Sequence, residues 1–403
     1  MKSEIGNRRF LLFLLRVLIV AAVAVGIVVS VNYFVDASHV ITSRTHEDMA
    51  RLAVEGKTVA VPENYNERHF QLAVVNHMKA LPETVVVGTS RGMYLGEEIT
   101  GFQDIYNSCI SGACLEDCYA VLGLYRQKFS RFPSRVILEI SPWLFNGEIE
   151  EDRWTEIYTY RTAAERLYTE LNGVAPEINA VEWTPFGSDE KPFYSSENPW
   201  FSLAYFQYNC YMIRKKGLDA FREEPAHEST DPSEPADYPD GTVRNAASKE
   251  EESGERLAEV RSASGPVTFQ NAQEMAEPDA GKMQAFELLV RSLLDRGSEV
   301  IFYLQPFSET QCRLSFDENM NPAFPLVETY LREFAAGYGI PVVGSYDARN
   351  YGLTDERFID SLHLDRQGTK YVWDTDYLPQ ASSRNSQRFP IQLLRYAASS
   401  AKE

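Results

Sequence analysis

Short apolar runs without polar alternation constrain this chain more than any other feature. Glu83 to Val87 contains Val85-Val86-Val87. Arg135 to Ile140 reads Arg-Val-Ile-Leu-Glu-Ile, Glu299 to Leu304 reads Glu-Val-Ile-Phe-Tyr-Leu, and Ile340 to Val343 follows. A strand that is apolar on both faces has both faces covered, as parallel strands between helical layers do. Asp104 to Asn107 adds a short fifth strand. Helical spacing separates these runs at Cys114 to Phe129, Ala280 to Arg296 and Pro325 to Tyr338. That alternation predicts an α/β domain with a doubly wound parallel sheet of five strands.

The pattern is interrupted between the third and fourth strands. From Asp152 to Phe221 the chain is rich in aromatic residues, with helices expected near Thr162 to Leu171 and Trp200 to Lys216. From Arg222 to Gly265 it is rich in Pro, Ser and Glu, and carboxylates greatly outnumber basic groups. So little apolar surface cannot offset the entropy of ordering, and a disordered acidic loop is expected there. The expected organisation is thus an α/β domain from 81–151 and 266–385, an ordered aromatic-rich insertion over 152–221, and the acidic loop over 222–265. Residues 37–80 read as a stalk followed by a lead-in helix, roughly Glu67 to Lys79.

At the N-terminus, Lys2, Arg8 and Arg9 precede a nearly unbroken apolar stretch from Phe10 to Val35. A bilayer crossing needs about 20 such residues, and Leu11 to Val31 is the expected span. Arg16 lies near the cationic end, where a long side chain reaches the headgroups. Residues 1–36 are therefore read as a cytoplasmic tip and single-pass anchor, with everything after it outside the cytoplasm. A cleaved signal peptide ending near Val35-Asp36-Ala37-Ser38 is the alternative, but the apolar run exceeds the usual h-region. Both readings export the domain.

A net charge of −19 over 403 residues, with no basic stripe, argues against a nucleic-acid partner, since binding the phosphate backbone relies on clustered Lys and Arg. The five cysteines, Cys109, Cys114, Cys118, Cys210 and Cys312, form no disulfide framework. They also lack the C-x2-C spacing of a zinc site. No metal or cofactor is expected.

The chemistry is concentrated in two places. Gly88-Thr89-Ser90-Arg91-Gly92 follows directly on Val87, and Asp360-Ser361-Leu362-His363 places a carboxylate and an imidazole three positions apart. A serine hydroxyl becomes a nucleophile when a base removes its proton. The base in turn needs a carboxylate to fix its tautomer and stabilise the imidazolium. Alone, Ser90 reads as a helix N-cap and His363 as a packing residue; their order along the chain makes them candidates together. G-x-S-x-G is also the nucleophile-elbow pattern of α/β-hydrolases, but there the acid and histidine follow different strands and the serine follows several strands. A phosphate-binding loop fits less well, since neither a Walker lysine nor G-x-G-x-x-G is present.

The arrangement resembles the SGNH (GDSL-like) hydrolase superfamily, in which a serine follows strand one and a D-x-x-H pair lies near the C-terminus. Tyr106-Asn107-Ser108-Cys109-Ile110-Ser111-Gly112-Ala113 is similar to the second family block. Ile140-Ser141-Pro142-Trp143-Leu144-Phe145 and Phe358 to Leu364 with Gly368 are similar to blocks of its membrane-anchored envelope acyltransferase branch, typified by the D-alanyl-lipoteichoic acid synthesis protein D. The likeness covers about residues 80–148 and 280–375. It implies a flavodoxin-like (SGNH) fold, with Ser90 as nucleophile, His363 as base and Asp360 as its orienting acid. It also implies an oxyanion held by the N–H groups of Ser90 and Gly112. The third family block, G-x-N-D, has no counterpart; Asn146 is a weak candidate for its asparagine. Arg91, Asn107, Trp143 and Asn146 are candidate substrate-binding residues, with structural pairing or packing as the competing reading of each. The implied activity is acyl transfer to a cell-envelope polysaccharide or teichoic-acid-like acceptor, beside a multi-spanning membrane O-acyltransferase. An extracytoplasmic esterase and a catalytically idle scaffold are the alternatives.

Overall fold

The computed structural model describes residues 2–37, 44–62, 65–148, 153–173, 199–218, 225–245 and 254–377. The strands in them, numbered along the chain, are β1 (Val59–Ala60), β2 (Thr84–Val87), β3 (Ile105–Asn107), β4 (Arg135–Glu139), β5 (Ala236–Asp237), β6 (Val243–Arg244), β7 (Glu299–Leu304) and β8 (Val342–Gly344). Five of them build one parallel sheet in the order β3-β2-β4-β7-β8. These are the five apolar runs, and the lack of alternation has the expected cause: Val85, Val86, Val136, Ile137, Ile301 and Phe302 are all fully buried. Each such side chain withdrawn from water stabilises the fold by about 1.5–3 kcal/mol.

Counted within the sheet, the order is 2-1-3-4-5, a common doubly wound arrangement whose direction of winding reverses between β2 and β4. Ligand crevices in such sheets open at that reversal, beyond the carboxyl ends of the strands. Ser90 lies three residues past the end of β2, beside that reversal.

Two expectations about the flanking segments are corrected. The stretch taken for a stalk contains the helix Arg44–Val54 and β1, and Met49, Ala50, Ala53 and Val59 are buried in the domain core. Their i, i+1, i+4 spacing puts one apolar stripe on an otherwise charged helix. Arg222 to Gly265, expected to be a disordered acidic loop, is built into the fold where it is described. There β5 pairs antiparallel with β1 and with β6, and Gly254–Arg261 is a helix. Asp231 and Asp240 accept the N–H groups of Ser233 and Thr242 at 2.8 and 3.1 Å, closing turns with their own carboxylates. The segment also covers an exposed sheet edge, because the Asn107 N–H of β3 donates to the Asp240 carbonyl at 2.7 Å.

The aromatic-rich segment forms the helices Tyr158–Asn172 and Leu203–Lys216, both within a few residues of the expected positions; residues 174–198 lie outside the described ones. The first packs into the domain core through Tyr160, Ala163, Ala164 and Leu167. The second packs on the end of the N-terminal helix Lys2–Val35. That helix carries one stretch, Phe10–Val35, long and apolar enough to cross a membrane, with a mean hydropathy of 2.9.

Candidate active site

The loop after β2 is shaped by the strand beside it. A β-carbon at Gly88 would lie 2.4 Å from the Glu139 carbonyl oxygen and 2.6 Å from Glu139 Cβ. One at Gly92 would lie 2.7 Å from Cys109 Sγ and 2.8 Å from Glu139 Cβ. Both glycines are therefore demanded by close approach to β4 and β3. Glu139, fully buried at the end of β4, accepts the Thr89 N–H at 2.7 Å and the Ser141 hydroxyl at 2.7 Å. Thr89 caps the short 3₁₀ turn Ser90–Gly92 by accepting the Arg91 N–H at 3.3 Å. Ser90, first in that turn, is partly exposed.

The second half of the site is a tight loop between Phe358 and Leu364, which are both fully buried and bridge each other antiparallel. The Ile359 N–H donates to the His363 carbonyl at 2.8 Å, and Ser308 donates to the Ser361 carbonyl at 3.3 Å. Within the loop, Asp360 Oδ1 accepts the N–H groups of Leu362 and His363 at 2.8 and 2.9 Å. Its carboxylate also meets His363 Nδ1, at 2.9 Å from Oδ1 and 2.8 Å from Oδ2. Partial burial alone would raise the Asp360 pKa, but its bond and charge interaction with His363 and the two backbone donors outweigh it and hold the carboxyl below its usual range.

The two halves meet: Ser90 Oγ lies 2.8 Å from His363 Nε2. An ionised carboxylate only accepts hydrogen bonds, so Nδ1 carries the proton and Nε2 presents its lone pair to the serine hydroxyl. Ser90, His363 and Asp360 thus form one continuous hydrogen-bonded chain, with the polarity that removes a proton from Oγ.

A third loop adjoins them. Beyond β3 the pairing with β2 continues for one step, as Thr89 bridges Ile110 and the Ile110 N–H donates to the Gly88 carbonyl at 3.0 Å. Two residues later Gly112 adopts φ +66°, where a β-carbon would collide with the Arg153 guanidinium. Among the described residues, neither the Ser90 nor the Gly112 N–H donates to a protein group. The Gly112 carbonyl is held by Gln270 Nε2 at 2.7 Å, and Ser111 is held by Glu67, which accepts both its N–H and its hydroxyl, the latter at 2.8 Å. Burial pushes the Glu67 pKa up, opposed by the two Ser111 bonds.

The four residues considered for substrate binding are all buried, and each makes contacts within the protein. Arg91 is a clamp: Nε donates to the Leu362 carbonyl at 3.1 Å and to Gln305 Oε1 at 3.2 Å, Nη1 donates to Ser141 Oγ at 3.3 Å, and Nη2 donates to the Gln305 carbonyl. Its guanidinium lies 4.0 Å from the Phe307 ring centroid and 5.6 Å from that of Trp143. It therefore ties the serine loop to the histidine loop. Burial lowers its pKa, partly offset by Glu139. Asn107 donates to the carbonyls of Gly92 and Leu95 at 2.8 and 3.1 Å and accepts the Cys109 N–H at 2.9 Å. Trp143 packs edge-on against Phe269. Asn146 donates to the Gln270 carbonyl at 2.8 Å and accepts the Glu148 N–H at 3.0 Å, so its amide is committed to the chain.

Sequence reasoning missed Glu139, Gln270 and Arg153. Glu139 could have been found, since a carboxylate inside an otherwise apolar strand run needs buried donors. Gln270, held at φ +50°, carries no local signal of its contact with Gly112. The five cysteines are free thiols. No protein-family model matches the chain, and no curated protein matches it.

Proposed function

We propose that this chain is a membrane-anchored serine acyltransferase of SGNH type, with its domain outside the cytoplasm, acting on a cell-envelope polymer. The observation that carries the reading is the Ser90–His363–Asp360 chain at the winding reversal of the sheet. The N–H groups of Ser90 and Gly112, which donate to no protein group among the described residues, support it. Ser90 Oγ attacks an ester or thioester carbonyl while His363 Nε2 takes its proton. The developing oxyanion is met by the two N–H groups, each of which supplies about 10²–10³ in rate in comparable sites. His363 then returns the proton to the leaving group, which departs and leaves an acyl-serine. An acceptor hydroxyl, deprotonated by the same imidazole, attacks that ester, and Ser90 regains its proton as the acylated acceptor leaves. Asp360 holds the imidazole in the productive tautomer throughout.

The resemblance favours transfer over hydrolysis, because the envelope acyltransferase branch also lacks the third-block asparagine, and among the described residues the loop after β4 presents no clear counterpart of it. Ser141 and Asn146 are buried and engaged, as expected of a site lacking the third-block asparagine. In the resemblance, the acyl group arrives through a multi-spanning membrane O-acyltransferase, and the acceptor is an envelope polysaccharide or teichoic-acid-like polymer. The test is labelling of the detergent-solubilised protein by a fluorophosphonate probe. Wild type is expected to label and Ser90→Ala to remain unlabelled; equal labelling of the two refutes the nucleophile. Turnover of p-nitrophenyl acetate well above the Ser90→Ala background would replace transferase by esterase.

A further inference from the structure

The helix Leu203–Lys216 has two faces with different partners. Ser202, Tyr205 and Asn209 are buried, and they meet the C-terminal end of the apolar helix. Asn32 donates to the carbonyls of Trp200 and Ser202 at 3.3 and 2.9 Å, Asn209 donates to Asn32 Oδ1 at 3.3 Å, and the Ala37 N–H donates to Asn209 Oδ1 at 3.0 Å. Tyr205 donates to Asp36, and Tyr33 stacks on Trp200 at 5.3 Å. The opposite side leaves Phe201, Leu203 and Tyr211 exposed by 61, 60 and 56 %, and the helix ends in Arg214-Lys215-Lys216.

Depth follows from length. The 26 residues of Phe10–Val35 rise about 39 Å at 1.5 Å each, against a hydrocarbon core of about 30 Å. With the expected span Leu11 to Val31 in that core, the last turn from Asn32 stands in the headgroup layer, and Asn32 to Ala37 are where the second helix is attached. Aromatic residues with an apolar body and a polar tip concentrate at that level, and lysines and arginines there attract anionic headgroups. We propose that Trp200 to Lys216 lies in the membrane interface as a second, in-plane contact, with Phe201, Leu203 and Tyr211 in the lipid and Arg214, Lys215 and Lys216 on anionic headgroups. The surface is continuous with the anchor, and its basic end stands out from a chain of net charge −19. The domain would then be fixed to the bilayer at two places, limiting how its site turns relative to the membrane plane.

This inference rests on the anchor reading, and the experiment separates the two. Full-length protein carrying Cys210→Ser and one added cysteine is labelled with an environment-sensitive fluorophore at position 203, 211, 20 or 370. It is reconstituted in vesicles of phosphatidylcholine with roughly 30 mol % phosphatidylglycerol. Quenching by nitroxide lipids labelled near the headgroup is expected at 203 and 211 and absent at 370, with chain-end nitroxides quenching position 20. Replacing Arg214, Lys215 and Lys216 by Gln is expected to reduce quenching at 211 by about twofold in anionic vesicles and to leave it unchanged in pure phosphatidylcholine. Quenching at 20 but not at 203 or 211 overturns the proposal and keeps the anchor. Absence at all positions overturns both. Shielding of 203 in native membranes only would assign the face to a protein partner instead.

Discussion

Replacing Asp360 by Asn separates the chemistry of the site from the architecture of its loop. Asp360 Oδ1 accepts two backbone N–H groups, from Leu362 and His363. An asparagine oxygen in the same place keeps both bonds, although each loses its charge assistance, at about 1 kcal/mol apiece. The amide nitrogen takes the place of Oδ2, 2.8 Å from His363 Nδ1. An NH₂ group only donates, so it opposes a proton on Nδ1; Oδ1 at 2.9 Å still accepts one, but the balance shifts toward the tautomer protonated at Nε2. In that tautomer Nε2 faces Ser90 Oγ with no lone pair to take the hydroxyl proton. A tautomer error of this kind costs about 10⁴ in rate in other serine triads, so a loss of 10²–10⁴ is expected here. The rate of fluorophosphonate labelling is the suitable assay, because it needs no knowledge of the natural acyl group. It should fall by at least about 10², with the melting temperature lowered only by the equivalent of about 2 kcal/mol. The pH dependence has a definite sign. The folded carboxyl titrates below its unfolded value, so its stabilising contribution is full above the unfolded pKa and is lost as pH falls through the lower folded one. Wild type should lose this contribution on acidification and Asp360→Asn should not. Labelling within about twofold of wild type in a folded Asp360→Asn protein would refute the proposed role of the carboxylate.

Other perturbations reach different parts of the structure. Gly112→Ala should lower labelling by about 10-fold or more, since φ +66° and the Arg153 guanidinium force the loop to move and shift its N–H. Thermal stability should fall by about 1–3 kcal/mol in the same variant, and unchanged labelling would remove Gly112 from the oxyanion site. Asp237, buried between β1 and β6 and bonded to Tyr65 Oη at 2.6 Å, has its pKa pushed up to about 7, chiefly by burial and also by Glu67. The folded state therefore binds a proton that the unfolded chain releases near its ordinary value. The associated stability is full below that ordinary value and is lost as pH rises through about 7, up to about 4 kcal/mol. Asp237→Asn should flatten this slope in denaturant titrations between pH 4 and 8, and parallel slopes in the two proteins would contradict the assignment.

What was legible in the sequence was whatever depends on neighbours along the chain. The strands declared themselves because a parallel strand is covered on both faces, so Val85 to Val87 and Val300 to Leu304 need no alternating pattern. Asp360 and His363 declared themselves because an Asx turn places an acid against an imidazole within one loop. The acidic segment was misread for the opposite reason. Composition measures the apolar surface a segment can bury by itself, whereas Ala236 and Asp237 take their hydrogen bonds from β1, and Asp240 takes one from β3. Composition alone leaves the aromatic residues near Trp200 between core packing and a sugar- or lipid-facing platform. Tyr205 is buried, but against the apolar helix through Asp36, a partner more than 160 positions away.

The serine motif itself is informative in a different way from the one its pattern suggests. G-x-S-x-G invites the nucleophile elbow of another fold, yet here the first glycine is required by the Glu139 backbone and the second by Cys109 and the Glu139 side chain. The two glycines therefore report how closely β4 approaches the end of β2, which any chemistry at that loop would share. The same approach lets Glu139 accept the Thr89 N–H and so fixes the residue before Ser90 without touching Ser90. The glycines thus belong to the packing of the winding reversal, and the D-x-x-H spacing belongs to the hydrogen-bonded chain that ends on Ser90 Oγ. An Ala at Gly88 would test the fold, an Asn at Asp360 the chemistry, and the two should fail independently.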